Sequence, residues 1–255
     1  MAQEASTTSI VTFLTRLGDD QLVLGHRLSE WCGHAPTLEE DLALANMGLD
    51  LIGQARALYT RAGELEGEGR GEDDFAYLRR EVDYQNLLLV ERPNGDFART
   101  ILKQFYFAAF MTPFWQGTSN SSDEALAAIA AKAVKESTYH LRHSAEWVIR
   151  LGDGTAESAN RMKCAVDDLH AYTDEMFQSD ALTKELAGAG VAPEPATIKV
   201  QWQASVTEIF DAANLAIPEI AWPQLGGRQG EHTEDMGHLL AELQFMQRAY
   251  PGLQW

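Results

Sequence analysis

A stretch of nine residues, 135–143, combines a carboxylate, a phenol and two imidazoles within a segment of helical periodicity. Helix bundles that hold two metal ions between bridging carboxylates use a Glu and a His three residues apart on each of two helices. Each of two further helices adds a single Glu. Glu136 occupies the first position of such a pair, but Tyr139 stands where the His would be. The stretch therefore indicates a metal site, a site of another kind or a former metal site.

The other positions of a two-metal site depart from the pattern as well. On the second helix Asp50 is followed three residues later by Gly53, which has no side chain to bind a metal. The helix over residues 97–115 contains no Asp or Glu, and Lys103 lies near its middle. A cation there would repel a metal ion, and we expect Glu136 to be satisfied by hydrogen bonds or by a cation such as Lys103. We therefore predict neither a metal nor a cofactor in this chain. The positions interpreted as degenerate ligands are Asp50, Gly53, Lys103, Glu136 and Tyr139.

A different metal site is possible on the same helix. Glu136, His140 and His143 are spaced at i, i+4 and i+7, so they share one face, and carboxylate and imidazole are good zinc ligands. The alternative is that His140 is a hydrogen-bonded interior histidine and that His143 lies on or near the surface, which we favour. Two shorter carboxylate–histidine matches are predicted to be local pairs on helix surfaces: Asp167 with His170, and Asp235 with His238. The first helix offers three carboxylates: Asp19, Asp20 and Glu30.

Other catalytic templates are missing from the sequence. It contains no GxSxG nucleophile elbow, no GxxxxGK[ST] phosphate loop and no GxGxxG after a strand. The Gly-rich segment 226–230 precedes a helix and carries Arg228, so it could hold an anion. We interpret it as a flexible loop or a partner-contact segment. The aromatic row in residues 97–115 could line a pocket, but a packed core is the favoured interpretation.

The elements that must position these residues are helices. Apolar residues recur every three or four positions in most of the chain, which is typical of amphipathic helices. Four long helices are predicted to form an antiparallel core: 10–31, 42–59, 97–115 and 123–151. Further helices are predicted over 75–90, 156–179, 197–213 and 233–249, and loops over 63–74 (mobile and acidic), 188–195 and 217–230. Thr37 and Glu40 predict a capping box before the second helix. The prediction is one all-α domain over residues 1–255.

Composition limits the possible partners and the compartment. The chain has 255 residues, 45% of them hydrophobic, and a formal net charge of −18. Nucleic acids and anionic membrane surfaces attract basic patches, so we expect neither as a partner. The N-terminal residues 1–8 have no signal-sequence pattern, and no apolar run is long enough to cross a membrane. Cys32 and Cys164 are predicted to be reduced, buried thiols of a cytoplasmic protein.

Several long segments resemble one known family. The segments that carry the resemblance are LGDD (17–20), RLSEWCGHAP (27–36), DLALAN (41–46), GLDLIGQAR (48–56), NLLLVE (86–91), KE with YHLR (135–136 and 139–142) and PGLQW (251–255). With these, the chain resembles the C subunits of the bacterial ring 1,2-phenylacetyl-CoA epoxidase, a multicomponent oxygenase of aerobic phenylacetate breakdown.

The resemblance implies a ferritin-like fold and a non-catalytic role. In this family the A subunit holds the di-iron site, and the C subunit is a related bundle without the metal ligands that supports A. The two form a dimer of heterodimers, a small B subunit joins them, and a reductase supplies electrons. Two other functions stay open from the residues: a stand-alone metal-dependent oxidase or hydrolase using Glu136, His140 and His143, and a CoA- or acyl-binding module.

Overall fold

The computed structural model describes residues 5–253, so that residues 1–4 of the polar N-terminus and residues 254–255 of the closing tail lie outside it. Its α-helices are α1 (Thr7–Ser29), α2 (Leu38–Glu66), α3 (Glu72–Tyr77), α4 (Leu88–Glu91), α5 (Phe97–Thr118), α6 (Glu124–Gly152), α7 (Ala156–Leu169), α8 (Ala181–Gly188), α9 (Pro195–Ala212), α10 (Glu234–Leu243) and α11 (Phe245–Ala249). No strand occurs in residues 5–253. The predicted all-α class is confirmed.

Four long helices form the core, as predicted. Helix α1 packs antiparallel along α2, α5 packs along α6, and α2 contacts α6. The α1–α2 contact is close because glycines face the partner helix. A Cβ added at Gly25 would lie 2.9 Å from Ile52 Cγ1 and 3.2 Å from the Gly48 carbonyl oxygen. Glycine allows this approach at some cost in helix propensity. The arrangement agrees with the expected ferritin-like bundle.

Each long helix begins at a side-chain cap. Ser6, Thr37, Asp96 and Asp123 accept a hydrogen bond from the backbone N–H three residues ahead, which satisfies a donor that the helix itself leaves free. The predicted Thr37 cap is confirmed, but the reciprocal half of its capping box is wrong. The Glu40 carboxylate binds the His143 ring at 2.9 Å rather than the Thr37 N–H.

Helix α5 is the buried centre of the molecule. Every residue from Thr100 to Thr112 is buried, and α7 and α9 cover α5 and α6 on the side away from α2. Its aromatic rings pack on rings of the covering elements, for example Tyr106 on Trp202 with centroids 5.6 Å apart. The packed-core interpretation is confirmed. A small pocket beside Phe110 has a volume of about 70 Å³, room for a few water molecules.

Two predictions around residues 63–90 were wrong. The expected loop 63–74 is mostly helical, because α2 continues to Glu66 and α3 begins at Glu72. The expected helix 75–90 is broken into α3, a 3₁₀ turn over Glu81–Asp83, an extended stretch and α4. Buried carboxylates from other helices accept the backbone N–H groups of this stretch, so these groups cannot form the hydrogen bonds of a helix.

Two later helices also break earlier than predicted. The segment 156–179 is helical only to Leu169 and continues in two 3₁₀ turns, His170–Tyr172 and Asp174–Phe177. The segment 233–249 breaks at Gln244, whose amide donates to the carbonyls of Ala76 and Arg79. The periodicity did not predict α8.

The two cysteines differ from the prediction. Cys32 and Cys164 are both free, but both are exposed rather than buried. Cys32 lies in the turns after α1, and Cys164 lies on the outer side of α7. No helix within residues 5–253 is both long and apolar enough to cross a membrane.

Candidate functional site

The α2–α6 seam brings together most of the residues that the sequence singled out. His140 Nε2 lies 3.1 Å from Asp50 Oδ2, and one turn further along Gln54 Nε2 donates to Glu136 Oε2 at 2.9 Å. Because α2 and α6 are antiparallel, successive turns of one helix meet successive turns of the other in reverse order. The seam is therefore a ladder of polar pairs.

Glu136 has hydrogen-bond and ionic partners, but Lys103 is not among them. Besides the Gln54 amide, Glu136 is paired with Lys132 Nζ at 3.3 Å. Lys103 Nζ instead donates to the Arg92 carbonyl oxygen at 2.6 Å and to Asn94 Oδ1 at 3.3 Å. The expected hydrogen bond to Glu136 is present, but the Lys103 alternative is wrong, since Lys103 points to the turn before α5 and Glu136 to the α2–α6 seam.

Lys103 is fully buried without a carboxylate partner. Burial lowers its pKa from 10.5 to about 7, and nearby Arg27 adds to the effect while Glu30 opposes it. Burial disfavours the charged form of any amine. Two uncharged oxygens replace the water that an ammonium group would otherwise have.

Gly53 and Tyr139 lie at the outer edge of the seam. A Cβ added at Gly53 would meet no atom within 4 Å. Tyr139 is 39% exposed, and its ring contacts His143, with ring centroids 6.0 Å apart, and the Arg142 guanidinium. Tyr139 therefore does not fill the bundle centre at a former ligand position, as its place in the sequence suggested.

Two of the polar side chains buried between the four helices are amides. Gln21 on α1 is fully buried, and neither its amide nitrogen nor its amide oxygen has a partner in the described residues. The Gln104 amide nitrogen lies 3.9 Å from Met47 Sδ, and its oxygen has no partner there either. Neutral amides are weak ligands for iron compared with the carboxylates and imidazoles of a di-iron centre. The residues present do not fit such a centre.

The alternative site at Glu136, His140 and His143 is not assembled. Each of the three side chains binds a different partner on α2, namely Gln54, Asp50 and Glu40 respectively. His140 is buried and hydrogen-bonded as favoured, whereas His143 is more enclosed than expected, with 12% of its side chain exposed. Within residues 5–253, no three or more His, Cys, Asp or Glu side chains are grouped closely enough to hold a metal ion.

The two short carboxylate–histidine matches are not local pairs. His170 is buried and lies 3.0 Å from the Tyr106 hydroxyl, and burial lowers its pKa, while Asp167 is exposed. Asp235 forms an ion pair with Arg92 at 2.8 Å, and His238 is exposed.

Buried carboxylates elsewhere in the chain bind arginines and backbone N–H groups, which the sequence did not predict. Asp19 accepts from the Tyr59 hydroxyl at 2.6 Å, from Arg79 and from the Gln85 N–H at 2.8 Å. Asp20 accepts from the Leu87 N–H at 2.8 Å and is paired with Arg228 at 2.7 Å. Burial raises the pKa of Asp20 to about 6, although Arg228 opposes this rise. The α1 carboxylates thus fix residues 85–87.

Glu175 and Glu91 fix the following stretch in the same way. Glu175 accepts from the backbone N–H groups of Leu88, Gly226 and Gly227 at 2.7–2.9 Å. Glu91 accepts from the Thr233 N–H at 2.6 Å and lies 2.8 Å from the His232 ring. The Gly-rich segment does hold an anion, as its sequence allowed, but the anion is a carboxylate of the same chain. These hydrogen bonds contradict the flexible-loop alternative, while the partner-contact alternative stays a prediction.

The sequence contains part of the signal for this network of buried carboxylates. Asp20 follows Leu17 by three residues and precedes Leu24 by four, so it lies at the edge of the apolar stripe of α1, where a carboxylate needs a buried partner. Asp19 lies outside that stripe. The partners Arg79 and Arg228 lie 60 and 208 residues away, so no local pattern identifies them.

Comparison with known proteins places this chain in a family. The whole chain, residues 1–255, matches the family model described as "Phenylacetic acid catabolic protein". A relative from Escherichia coli (strain K12), named as the C subunit of 1,2-phenylacetyl-CoA epoxidase, is 47% identical over 246 residues. The match covers 96% of this chain and 99% of the relative. With a match over its full length and a close relative of equal extent, the chain belongs to the phenylacetic acid catabolic protein family.

Proposed function

We propose that this chain is the non-catalytic structural subunit of a 1,2-phenylacetyl-CoA epoxidase and supports a catalytic A subunit that holds a di-iron site. The observation that carries the proposal is the 47% identity, over nearly the full length of both chains, to a protein named as the C subunit of that enzyme. The complex would use oxygen and reducing equivalents to epoxidise the aromatic ring of phenylacetyl-CoA.

The side chains support the non-catalytic part of the proposal. A di-iron centre needs carboxylates from four helices and two histidines. Here the α5 position offers a buried Lys103, Gly53 has no side chain, and Tyr139 faces outward. Glu136 already accepts a hydrogen bond from Gln54, and His140 and Asp50 already bind each other. No residue of this chain is therefore proposed as catalytic.

The proposed partners are the A subunit, in a dimer of heterodimers, and the small B subunit. Nucleic acid and membranes are not proposed, since the net charge of −18 repels anionic surfaces. The cytosol is the proposed compartment, because two exposed free thiols suit a reducing environment.

The test is reconstitution with the catalytic subunit of the same enzyme. We expect co-expressed subunits to co-purify, and oxygen consumption with phenylacetyl-CoA and reductase to require this chain. Metal analysis of the purified chain and of Glu136→Ala separates this proposal from a stand-alone metalloenzyme. Near-stoichiometric iron, manganese or zinc that is lost in Glu136→Ala would contradict the proposal. If the chain does not bind the catalytic subunit but binds CoA esters alone, the result would favour a CoA-binding module.

A further inference from the structure

The outer side of α2 and α6 carries exposed apolar side chains. Leu38, Leu42 and Leu49 on α2 are 71%, 57% and 67% exposed. Together with Gly53 they follow at intervals of four, seven and four residues, so they form one stripe along the helix. Tyr139 on α6 lies beside them, because its ring contacts His143, which binds Glu40 of α2. We call this surface, defined by Leu38, Leu42, Leu49, Gly53 and Tyr139, the α2–α6 face.

The other sides of the bundle are covered by the chain itself. Helices α7 and α9 pack on α5 and α6, and α4 and α8 pack on α1. Within residues 5–253, the elements that pack extensively on α2 are α1, α6 and, near its C-terminal end, α3. The α2–α6 face is therefore the side of the core bundle without a covering helix. Large exposed apolar patches rimmed by polar residues mark protein interaction sites.

A groove runs along this face between the two helices. It has a volume of about 270 Å³. Four of its eight lining residues are small, and the full lining is Gly53, Ala57, Ala128, Ala133, Ile129, Gln54, Lys132 and Glu136. Small residues allow a second backbone to approach closely. The Gln54 side-chain oxygen, which borders the groove, is buried and has no donor in the described residues.

The α6 border of the face is mainly basic, although the chain is acidic, since three exposed cations stand beside one exposed carboxylate, Glu146. Lys132, Lys135 and Arg142 are exposed on α6 on the same side as Tyr139, whereas the chain as a whole has a net charge of −18. Complementary charges at the rim select and steer partners. The matching surface should therefore have an apolar centre and carboxylates at its edge.

The size of the face suits a small interface. The part of α2 that carries the stripe and the groove runs from Leu38 to Ala57, which corresponds to about 29 Å at the rise of an α-helix. Two adjacent helices make a face about 20 Å wide, so the available area is about 600 Å², at the lower end of one side of a specific protein–protein interface.

We propose that the α2–α6 face docks a helical surface of the catalytic subunit, with an apolar ridge in the groove and carboxylates facing Lys132, Lys135 and Arg142. This inference rests on the proposed function and adds to it the surface through which the subunits meet.

The test compares single variants in co-expression with the catalytic subunit. Leu49→Asp places a charge in the centre of the stripe. Gly53→Leu adds a side chain to the groove at a position where an added Cβ would meet no atom within 4 Å. Val200→Asp is the matched control, because Val200 on α9 is an equally exposed aliphatic residue, at 73%, on another side of the molecule. Circular dichroism and urea unfolding verify that each variant folds. Affinity is measured by sedimentation velocity and titration calorimetry.

We expect Leu49→Asp and Gly53→Leu each to weaken binding by about tenfold or more, and Val200→Asp to bind like the wild type. If both variants bind as tightly as the wild type, or if only Val200→Asp weakens binding, the face is overturned while the proposed function stands. If the wild-type chain does not bind the catalytic subunit, both proposals fail. A wild-type homodimer that Leu49→Asp dissociates would assign the face to a second copy and overturn the proposed partner.

Discussion

Three consecutive buried polar side chains of α1 differ in whether they have hydrogen-bond partners. Asp19 and Asp20 are fully buried, and both bind an arginine and a backbone N–H. Gln21 is equally buried and has no partner in the described residues. A buried polar group without a hydrogen bond lowers stability by about 1–3 kcal/mol. The unpaired Gln21 amide therefore lowers the stability of the folded chain.

Gln21→Leu should therefore stabilise the isolated chain. Leucine is close to glutamine in volume and needs no partner, so we expect the free energy of unfolding to rise by about 1 kcal/mol. The measurement is urea denaturation followed by circular dichroism.

Gln244→Leu is the control, because the Gln244 amide donates to the carbonyls of Ala76 and Arg79 and to the Tyr84 hydroxyl. It should lower the free energy of unfolding by about 2 kcal/mol. A loss of stability in Gln21→Leu as well would mean that the Gln21 amide has a buried partner, such as an ordered water.

The Lys103 amine should make stability depend on pH in a defined window. Its pKa is about 7 in the folded chain and 10.5 when exposed. Between these values the unfolded chain binds a proton that the folded chain does not, so stability rises with pH. Lys103→Met removes this contribution.

The wild type should therefore gain stability relative to Lys103→Met as the pH rises from about 7 to about 10, by at most about 1.4 kcal/mol per pH unit. Unfolding curves at four pH values measure the difference, in which the titrations common to both chains cancel. A difference that stays constant across this range would show that Lys103 is charged in the folded chain throughout.

At the scale of elements, the long helices could be predicted because their cause is local. The apolar period runs along each helix, and no residue breaks α6. The caps Thr37 and Asp123 directly precede α2 and α6. The break at residues 84–88 could not be predicted, because the groups that cause it lie elsewhere. The N–H groups of Gln85, Leu87 and Leu88 bind carboxylates of α1 and of residue 175.

The candidate site shows the same limit. The spacing of Glu136, His140 and His143 correctly placed them on one side of a helix, but spacing does not identify the facing residues on α2. Those residues pair the three side chains separately. The Lys103–Glu136 prediction failed for a related reason, since it assumed that polar groups of neighbouring helices turn toward each other.

Glu175→Gln tests whether the buried carboxylates hold the break in place. The carboxylate accepts from three backbone N–H groups, and a glutamine would present its NH₂ group to at least one of these donors. We expect the loss of about 2–4 kcal/mol of stability and faster amide hydrogen exchange at Leu88, Gly226 and Gly227.

Glu157→Gln is the control for this experiment. Glu157 forms an exposed pair with Arg161 on α7, and such pairs contribute little to stability. It should therefore change the free energy of unfolding by less than about 0.5 kcal/mol. Unchanged exchange at the three amides in Glu175→Gln would show that other contacts fix the segment.

At the scale of the molecule, charge and hydrophobicity are distributed unevenly. The chain is acidic overall, while the α2–α6 face combines exposed leucines with basic residues from α6. The apolar part of an interface mainly sets how long a complex lasts, and charges at its rim mainly set how fast it forms. The proposed face therefore predicts different kinetic effects for the two kinds of residue.

Lys135→Glu should slow association with the catalytic subunit and leave dissociation nearly unchanged. The Lys135 side chain is exposed and forms no ion pair within the described residues, so its removal should not disturb the fold. We expect an association rate about three- to tenfold lower at low salt. The deficit should disappear near 1 M salt, where the screening length falls to about 3 Å. Stopped-flow mixing over a series of salt concentrations measures both rates.

Lys163→Glu makes the same charge change at an exposed lysine of α7, and its association rate should fall far less. Equal slowing in the two variants would mean that net charge alone steers the encounter, and faster dissociation in Lys135→Glu would place Lys135 inside the interface rather than at its rim.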